Sequence, residues 1–283
     1  RCRNIARLWL DLYSGVDQGR SADYACQYDP RFSYCTYVPT TYDKIKISGD
    51  YQRLLVVIHG SGRNNQSVRD RFIDFAEEHN CIILAPLFPC GITSPEDRDS
   101  YKYLRTNDIF YDKVLLAMIE EVRNRLSLPS GKFMLFGFSG GAHFAHRFFY
   151  FHPETISALF VASPGSVTLL DPSKSWWTGI GNIKELFNDD IHFATLRKPV
   201  IQLAVGAEDM DTKEITHKPG GIYWKPDAND AGTTRIDRLT SLYQNFRENG
   251  LNVHLDILPG VGHDGPAMCE RAKLFFKEYL SSA

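Results

Sequence analysis

Phe136-Gly137-Phe138-Ser139-Gly140-Gly141 lies between an apolar run and an amphipathic run. A strand that turns sharply into a helix holds the intervening residue in strained backbone geometry, and glycines on either side relieve the crowding. The stretch therefore reads as a nucleophile elbow, and it nominates Ser139 as an attacking serine. A Gly-x-Ser-x-Gly match arises often by chance in a chain of this size, so its meaning depends on strand-turn-helix context and on partners in a suitable order.

Working outward, apolar runs alternate with helical periodicity from about residue 40, as a mostly parallel sheet with crossover helices requires. Lys44 to Ser48 resembles a short alternating strand, and Leu54 to His59 is a continuous apolar run suited to burial on both faces. Cys81 to Ala85, Lys132 to Phe136, Ser157 to Ala162, Val200 to Val205 and Val253 to Leu258 read as further strands. Helical spacing marks Val68 to His79, Asn107 to Leu126 with an Asn or Asp cap, the segment from Ala142 through Phe149, Arg235 to Glu248 and Met268 to Leu280. Ser139 thus follows a strand and precedes a helix. The fold class expected is α/β, a mostly parallel central sheet flanked by helices, in a single domain spanning 1–283 with its core at about 40–283.

Two stretches depart from the alternation. Pro164 to Lys198 holds Trp176 and Trp177 beside Gly179 and Gly181, and Asp211 to Thr234 is rich in Gly, Pro, Asn and Asp around Tyr223 and Trp224. In open α/β folds the loops beyond the carboxyl ends of the strands form the ligand crevice. These cap-like excursions, 164–198 and 211–234, are expected to shape substrate access, with Trp176, Trp177, Tyr223 and Trp224 as candidate contacts. Each aromatic equally reads as an anchor that tacks a long loop to the surface.

Composition bounds the rest. The 283 residues are 43% apolar and carry a formal charge of -2, enough to bury a large core and without the basic balance of a nucleic-acid binder. No run approaches the roughly 18 apolar residues of a spanning helix. A small-molecule substrate is expected, with no nucleic acid, no membrane span, no cofactor and no metal. The six cysteines, Cys2, Cys26, Cys35, Cys81, Cys90 and Cys269, form no Cys-x-x-Cys pair. Cys26 with Cys35 and Cys81 with Cys90 read either as short disulfide loops of a secreted chain or as buried thiols. The chain begins at Arg1 rather than Met, which suggests a processed or truncated form. A glycosylation sequon at Asn65-Gln66-Ser67 sits near the loop after Leu54 to His59, where a glycan would obstruct access. That favours a cytoplasmic protein, with a secreted one as the alternative.

A serine hydroxyl is a poor nucleophile near neutral pH and needs a base oriented by a carboxylate. The last strand leads into Pro259-Gly260-Val261-Gly262-His263-Asp264-Gly265, which hangs His263 on a glycine-rich loop as the base. Val205-Gly206-Ala207-Glu208-Asp209-Met210-Asp211 follows the strand after the elbow unit and offers Asp209 as the acid, with Glu208 and Asp211 as alternates. Asp264, adjacent to His263, is poorly placed to orient that ring and reads as a turn residue. The loop His59-Gly60-Ser61-Gly62-Arg63-Asn64, directly after a buried strand, supplies an oxyanion donor. Two backbone amides are expected there, Gly140 and Ser61, with Gly62 as the alternate second donor.

The order Ser139, Asp209, His263 is the one in which α/β-hydrolases carry their triad. On Val56 to Asn64, Leu135 to Arg147, Val205 to Asp211 and Pro259 to Asp264, the chain resembles the α/β-hydrolase superfamily, in a branch similar to polyhydroxybutyrate-depolymerase-like and feruloyl-esterase-like proteins. That resemblance covers roughly residues 40 to 283 and implies a cofactor-independent serine hydrolase. Esterases, peptidases, lactonases and carbon-carbon hydrolases share this scaffold, so it leaves the substrate open.

Other polar residues read blandly. His143 and His146, spaced i, i+3, suit packing or hydrogen bonding better than metal ligation. Arg105, Asp108 and Asp112 read as surface charges near a helix start, and Ser163 and Ser166 as turn residues. The leading expectation is hydrolysis of a carboxylic ester through an acyl-enzyme, with the 13% aromatic content pointing to an apolar or aromatic substrate. The same triad acting on an amide, lactone or carbon-carbon bond is one alternative. A catalytically silent hydrolase fold used as a binding module is the other.

Overall fold

The computed structural model describes residues 18–40, 42, 53–106 and 108–282. In chain order its strands are β1 (Gly19–Arg20), β2 (Tyr24–Ala25), β3 (Ser33–Val38), β4 (Leu54–Ile58), β5 (Ile82–Leu87), β6 (Arg105–Thr106), β7 (Ile109–Phe110), β8 (Phe133–Phe138), β9 (Ile156–Ala162), β10 (Val200–Gly206) and β11 (Val253–Leu258). The helices are α1 (Asn65–Asp70), α2 (Ile73–His79), α3 (Tyr111–Leu126), α4 (Gly140–Phe151), α5 (Ile183–Phe187), α6 (Phe193–Leu196), α7 (Arg235–Glu248) and α8 (Gly265–Ser282).

One sheet runs in the order β1-β3-β5-β4-β8-β9-β10-β11, with β2 beside β3. The six strands from β5 to β11 are parallel to their neighbours, and β3 pairs antiparallel with β5. Continuous apolar runs are what a sheet covered on both faces demands, and β4 shows it: Leu54, Val56 and Ile58 enter one core, Leu55 and Val57 the other. The first core packs against α3, α4 and α7, and the second against α1, α2 and α8. The result is a mostly parallel sheet flanked by helices on both faces, the fold class expected from the sequence.

Several boundaries moved. The helix expected over Val68 to His79 is two helices, broken at Arg71 and at Phe72, whose ring is fully buried and packs on Phe136 at 5.1 Å. The long helix starts at Tyr111 because Arg105–Thr106 pairs antiparallel with Ile109–Phe110 and takes up the residues before it. The strand expected at Lys44 to Ser48 and the cap expected at Asn107 lie outside the described residues. The core also reaches further toward the N-terminus than residue 40, since β3 is buried and extends the sheet beside β5.

Of the surface charges expected near the start of α3, Asp108 is exposed, while Arg105 and Asp112 are corrected. Asp112 is fully buried and accepts from Arg105 Nη2 and from His152 Nε2, each at 2.9 Å. Burial pushes its carboxyl up, and these two partners outweigh that and hold it below its ordinary value. The Arg105 guanidinium meanwhile lies over the Phe151 and Phe187 rings at 4.9 and 4.7 Å. Cys26, Cys35, Cys81 and Cys269 are buried thiols and Cys90 is an exposed one. Asn65 of the sequon is buried, its amide nitrogen 3.1 Å from Asp23 Oδ1. No described helix is long and apolar enough to cross a membrane.

Candidate active site

Ser139 stands between β8 and α4 with φ 54° and ψ -118°, a conformation costly for a residue with a side chain. Neighbouring glycines permit the bend: a Cβ on Gly137 would strike the Gly141 carbonyl, and one on Gly141 would strike the Ile58 carbonyl. The Ser139 amide donates to the Ala162 carbonyl at 2.9 Å, tying the elbow to the next strand. Its hydroxyl consequently projects beyond the carboxyl ends of the parallel strands.

The partner loops are brought together by the pairing of β10 with β11. Their register sets Gly206 opposite Leu258, and beyond the strands the contact continues through Ala207 N to Leu258 O and Glu208 N to Val261 O, both 2.9 Å. A Cβ on Gly206 would collide with the Val261 carbonyl, so the close approach requires glycine there. Asp209 and His263 emerge side by side from this joined pair of loops. His263 Nδ1 lies 2.7 Å from Asp209 Oδ2, and His263 Nε2 lies 3.1 Å from Ser139 Oγ. An imidazole so placed can donate from Nδ1 to the carboxylate and accept the hydroxyl proton at Nε2.

The Asp209 side chain is fully buried, whereas that of His263 is 30% exposed. Burial pushes the Asp209 carboxyl up, but the hydrogen bond and charge of His263, with Arg235 and Ser163 nearby, hold it below its ordinary value. Glu208 is exposed, and Asp211 accepts from the Lys213 amide within its own loop. Asp264 accepts from the Ala267 amide at 3.0 Å, capping α8.

The loop after β4 is pinned by its own first residue. His59 is fully buried; Nδ1 donates to the Gly60 carbonyl at 2.7 Å and Nε2 accepts from the Phe88 amide at 3.0 Å. Burial, opposed by that Gly60 contact, lowers its pKa to about 4. Arg63 clasps the same loop, donating to the Ser61 and Phe88 carbonyls at 2.7 and 3.2 Å and to the Arg98 carbonyl. The Ser61 amide sits beside Gly140, so near that a Cβ there would come within 3.0 Å of it. A Cβ on Gly60 would be in ordinary van der Waals range of the Phe138 carbonyl and the Ser139 Cβ. Gly62, the alternate donor, has no close neighbour at its Cβ position apart from Asn64.

Ser61, Ser139 and Gly140 open onto a cleft of about 850 Å³. One wall is the loop after β5, with Thr93, Ser94, Asp97, Asp99 and Lys102; the opposite wall is the second excursion, with Glu214, Thr216, His217, Ile222 and Tyr223. The first excursion contributes Gly165 alone to the lining, and His143 of α4 reaches it. His143 Nε2 accepts the Gly165 and Ser166 amides at 2.7 and 3.1 Å, while His146 Nε2 accepts the Thr168 amide at 3.1 Å. Both histidines thus fix the loop after β9. Among the described residues no group of three or more His, Cys, Asp or Glu is placed to hold a metal ion.

The four aromatic candidates divide. Tyr223 lines the cleft, stacked on Tyr103 at 3.8 Å. Trp177 is buried against Tyr103 and donates to the Tyr223 carbonyl at 2.9 Å, so it supports the wall from behind. Trp176 packs between Phe151 and Phe187, away from the lining, and Trp224 is 39% exposed on the loop beyond Tyr223. Most aromatic residues fill the two cores rather than the cleft. Sequence reasoning missed Lys102, whose ammonium pairs with Asp99 at 2.5 Å and whose Cε approaches Gly140. It also missed Arg235, which is buried against Asp209. Neither belongs to a local motif; each reaches the site only through folding.

No protein-family model matches the chain, and no curated protein matches it. Solved structures do. The poly(3-hydroxybutyrate) depolymerase LpqC of Bordetella parapertussis superposes with a TM-score of 0.73 at 25% identity, over 95% of this chain and 93% of that one. Poly(aspartic acid) hydrolase-1 of Sphingomonas sp. KT-1 gives 0.71 at 22% identity over 92% and 98%, and a ferulic acid esterase gives 0.62 at 15% over 93% and 98%. The chain has the α/β-hydrolase fold.

Proposed function

We propose that this protein is a serine hydrolase of carboxylic esters. The observation that carries the reading is the pair of contacts on one imidazole, Ser139 Oγ to His263 Nε2 at 3.1 Å and His263 Nδ1 to Asp209 Oδ2 at 2.7 Å, beside two clustered backbone amides. In this mechanism His263 takes the Ser139 proton as the hydroxyl attacks the ester carbonyl, and Asp209 stabilises the imidazolium that forms. The Gly140 and Ser61 amides hold the tetrahedral oxyanion; loss of one such donor typically costs about 100- to 1000-fold in rate. The imidazolium then protonates the departing alcohol, leaving an acyl group on Ser139. Water, deprotonated by His263, attacks that acyl group and releases the acid with the serine restored.

The cleft narrows the substrate differently from the aromatic content of the sequence. Its lining is dominated by hydroxyl and charged side chains, with Tyr103 and Tyr223 as its aromatic members. A polar ester, bearing hydroxyl or charged groups near the scissile bond, suits that wall better than a greasy one. An amide is the second reading, favoured by one observation: one of the similar structures is described as a poly(aspartic acid) hydrolase.

Purified protein assayed with short polar esters, apolar aryl esters and matched amides tests both. Turnover fastest on polar esters, with Ser139→Ala lowering kcat by at least about 10⁴-fold, is the expected result. Ester turnover that survives Ser139→Ala sinks the mechanism, and faster turnover of amides than of esters replaces the first reading with the second.

A further inference from the structure

The carboxylate assigned as the acid is held from two sides. Asp209 Oδ2 faces His263, and Asp209 Oδ1 receives Arg235 Nη1 at 3.0 Å. Arg235 opens α7 immediately after the Thr234 cap, whose hydroxyl accepts from the Asp237 amide while the Asp237 carboxylate accepts from the Thr234 amide. That reciprocal cap fixes the position from which the guanidinium reaches back under the sheet ends. Its side chain is only 4% exposed, and its other terminal nitrogen donates to Glu214 Oε2 at 3.2 Å. Glu214 is 70% exposed and, like Arg235, lines the cleft.

Two further polar atoms mark this spot. Among the described residues, the buried Arg235 Nε has no hydrogen-bond partner, and the buried Ser163 hydroxyl lies against Asp209 and helps to hold its carboxyl low. Ser163 sits just past β9 at φ 49°, in a region that favours glycine. A buried donor left open in this way needs a reason, because it costs desolvation. Backbone strain at Ser163 and an unpaired donor on Arg235 therefore collect around Asp209, where a helix cap, a strand end and the second excursion meet.

We propose that Arg235 is a positioning residue that sets how much negative charge Asp209 presents to His263, with Glu214 as its counterweight on the cleft wall. This rests on the triad reading above. A cation against Oδ1 offsets part of the carboxylate charge, so the imidazolium formed on His263 is stabilised less. Glu214 draws some of that cation away. The charged or titratable groups against Asp209 are His263 and Arg235, with the Ser163 hydroxyl from β9 and Glu214 acting through the guanidinium.

The test is the acid limb of kcat/KM against pH on one ester for the wild type, Arg235→Met, Arg235→Lys, Glu214→Gln and Ser139→Ala. Arg235→Met moves the limb upward by about one pH unit, with Arg235→Lys between it and the wild type. Glu214→Gln moves it the other way, downward by about 0.3 unit, since the exposed carboxylate is screened. A purely structural role would alter rate and stability without opposite shifts. Limbs that stay together, or shift with the same sign, overturn the proposal. Should the arginine variants fail to fold, the direction for Glu214→Gln decides alone. Activity remaining in Ser139→Ala would instead overturn the parent reading, so the two failures are told apart.

Discussion

Two excursions leave the sheet, both marked by tryptophan and glycine, and the fold uses them in opposite ways. Residues 164–198 turn inward: Val167, Leu170, Trp177, Ile183 and Leu196 are buried, and the segment forms α5 and α6. It is stitched to α4 by Arg147, whose guanidinium donates to Thr168 Oγ1 at 2.8 Å, Ser166 Oγ at 3.0 Å and the Lys102 carbonyl at 2.6 Å. Residues 211–234 turn outward, without helix or strand, and hold Ile222 at 87% exposure on the cleft rim. The difference was available in composition. The first segment carries many aliphatic residues and the second has Ile215 and Ile222 as its only large aliphatics, so the first buries a helical face while the second buries little beyond Ile215 and Ala228.

The comparison breaks most readily at Trp177. Replacing it with alanine removes a buried ring from both Tyr103 and Arg147, and should cost about 3–5 kcal/mol in urea denaturation. A loss below about 1 kcal/mol would mean that the first excursion is not the scaffold described.

Acid should test the anchoring of the first segment next. Burial first, then the charges of Arg147 and, for His143, Lys102, push His143 and His146 well below 6.5. Because the folded values lie below the unfolded ones, protonation favours the unfolded chain. The stability tied to each neutral ring is complete above about pH 6.5 and is lost below it, at up to about 1.4 kcal/mol per pH unit for each group. Denaturation midpoints measured from pH 7.5 to 4.5 should fall steeply. The double variant His143→Gln with His146→Gln should flatten that slope; an unchanged slope would remove the two histidines from the account.

Smaller effects fall on the outer wall. Tyr223→Ala should lower kcat/KM about tenfold while costing less stability than Trp177→Ala, about 1–2 kcal/mol, since the ring is only partly buried where it stacks on Tyr103 at the cleft. Ile222→Ser should leave stability within about 0.5 kcal/mol and shift KM only a few-fold. A stability loss at Ile222 as large as that at Trp177 would erase the contrast between the segments.

What the sequence disclosed follows the range of the forces involved. Continuous apolar runs located the parallel strands within a residue or two, and Arg235–Glu248 matches its expected helix because the Thr234 cap is written locally. Ser139, Asp209 and His263 were nominated by turn chemistry and chain order, and the fold brings their side chains into contact. Arg235 was invisible as a neighbour of Asp209, because 26 positions separate them and no spacing rule links the two. Asp112 was misread for a related reason: Arg105 reaches it only through the β6–β7 hairpin, and His152 only from the end of α4. The loop after β5 carried polar residues without periodicity, so nothing local showed that Asp97, Asp99 and Lys102 would wall a cleft.

The strand β3 bears on how the protein can be shortened. Its antiparallel ladder with β5, from Ser33 opposite Leu87 to Tyr37 opposite Ile83, covers hydrogen-bonding groups that would otherwise form the margin of the parallel sheet. A fragment begun near residue 40 would keep every proposed catalytic group and still present β5 as a bare, apolar template to other copies. Within the described residues, it is β3 that closes this margin of the sheet beside β5.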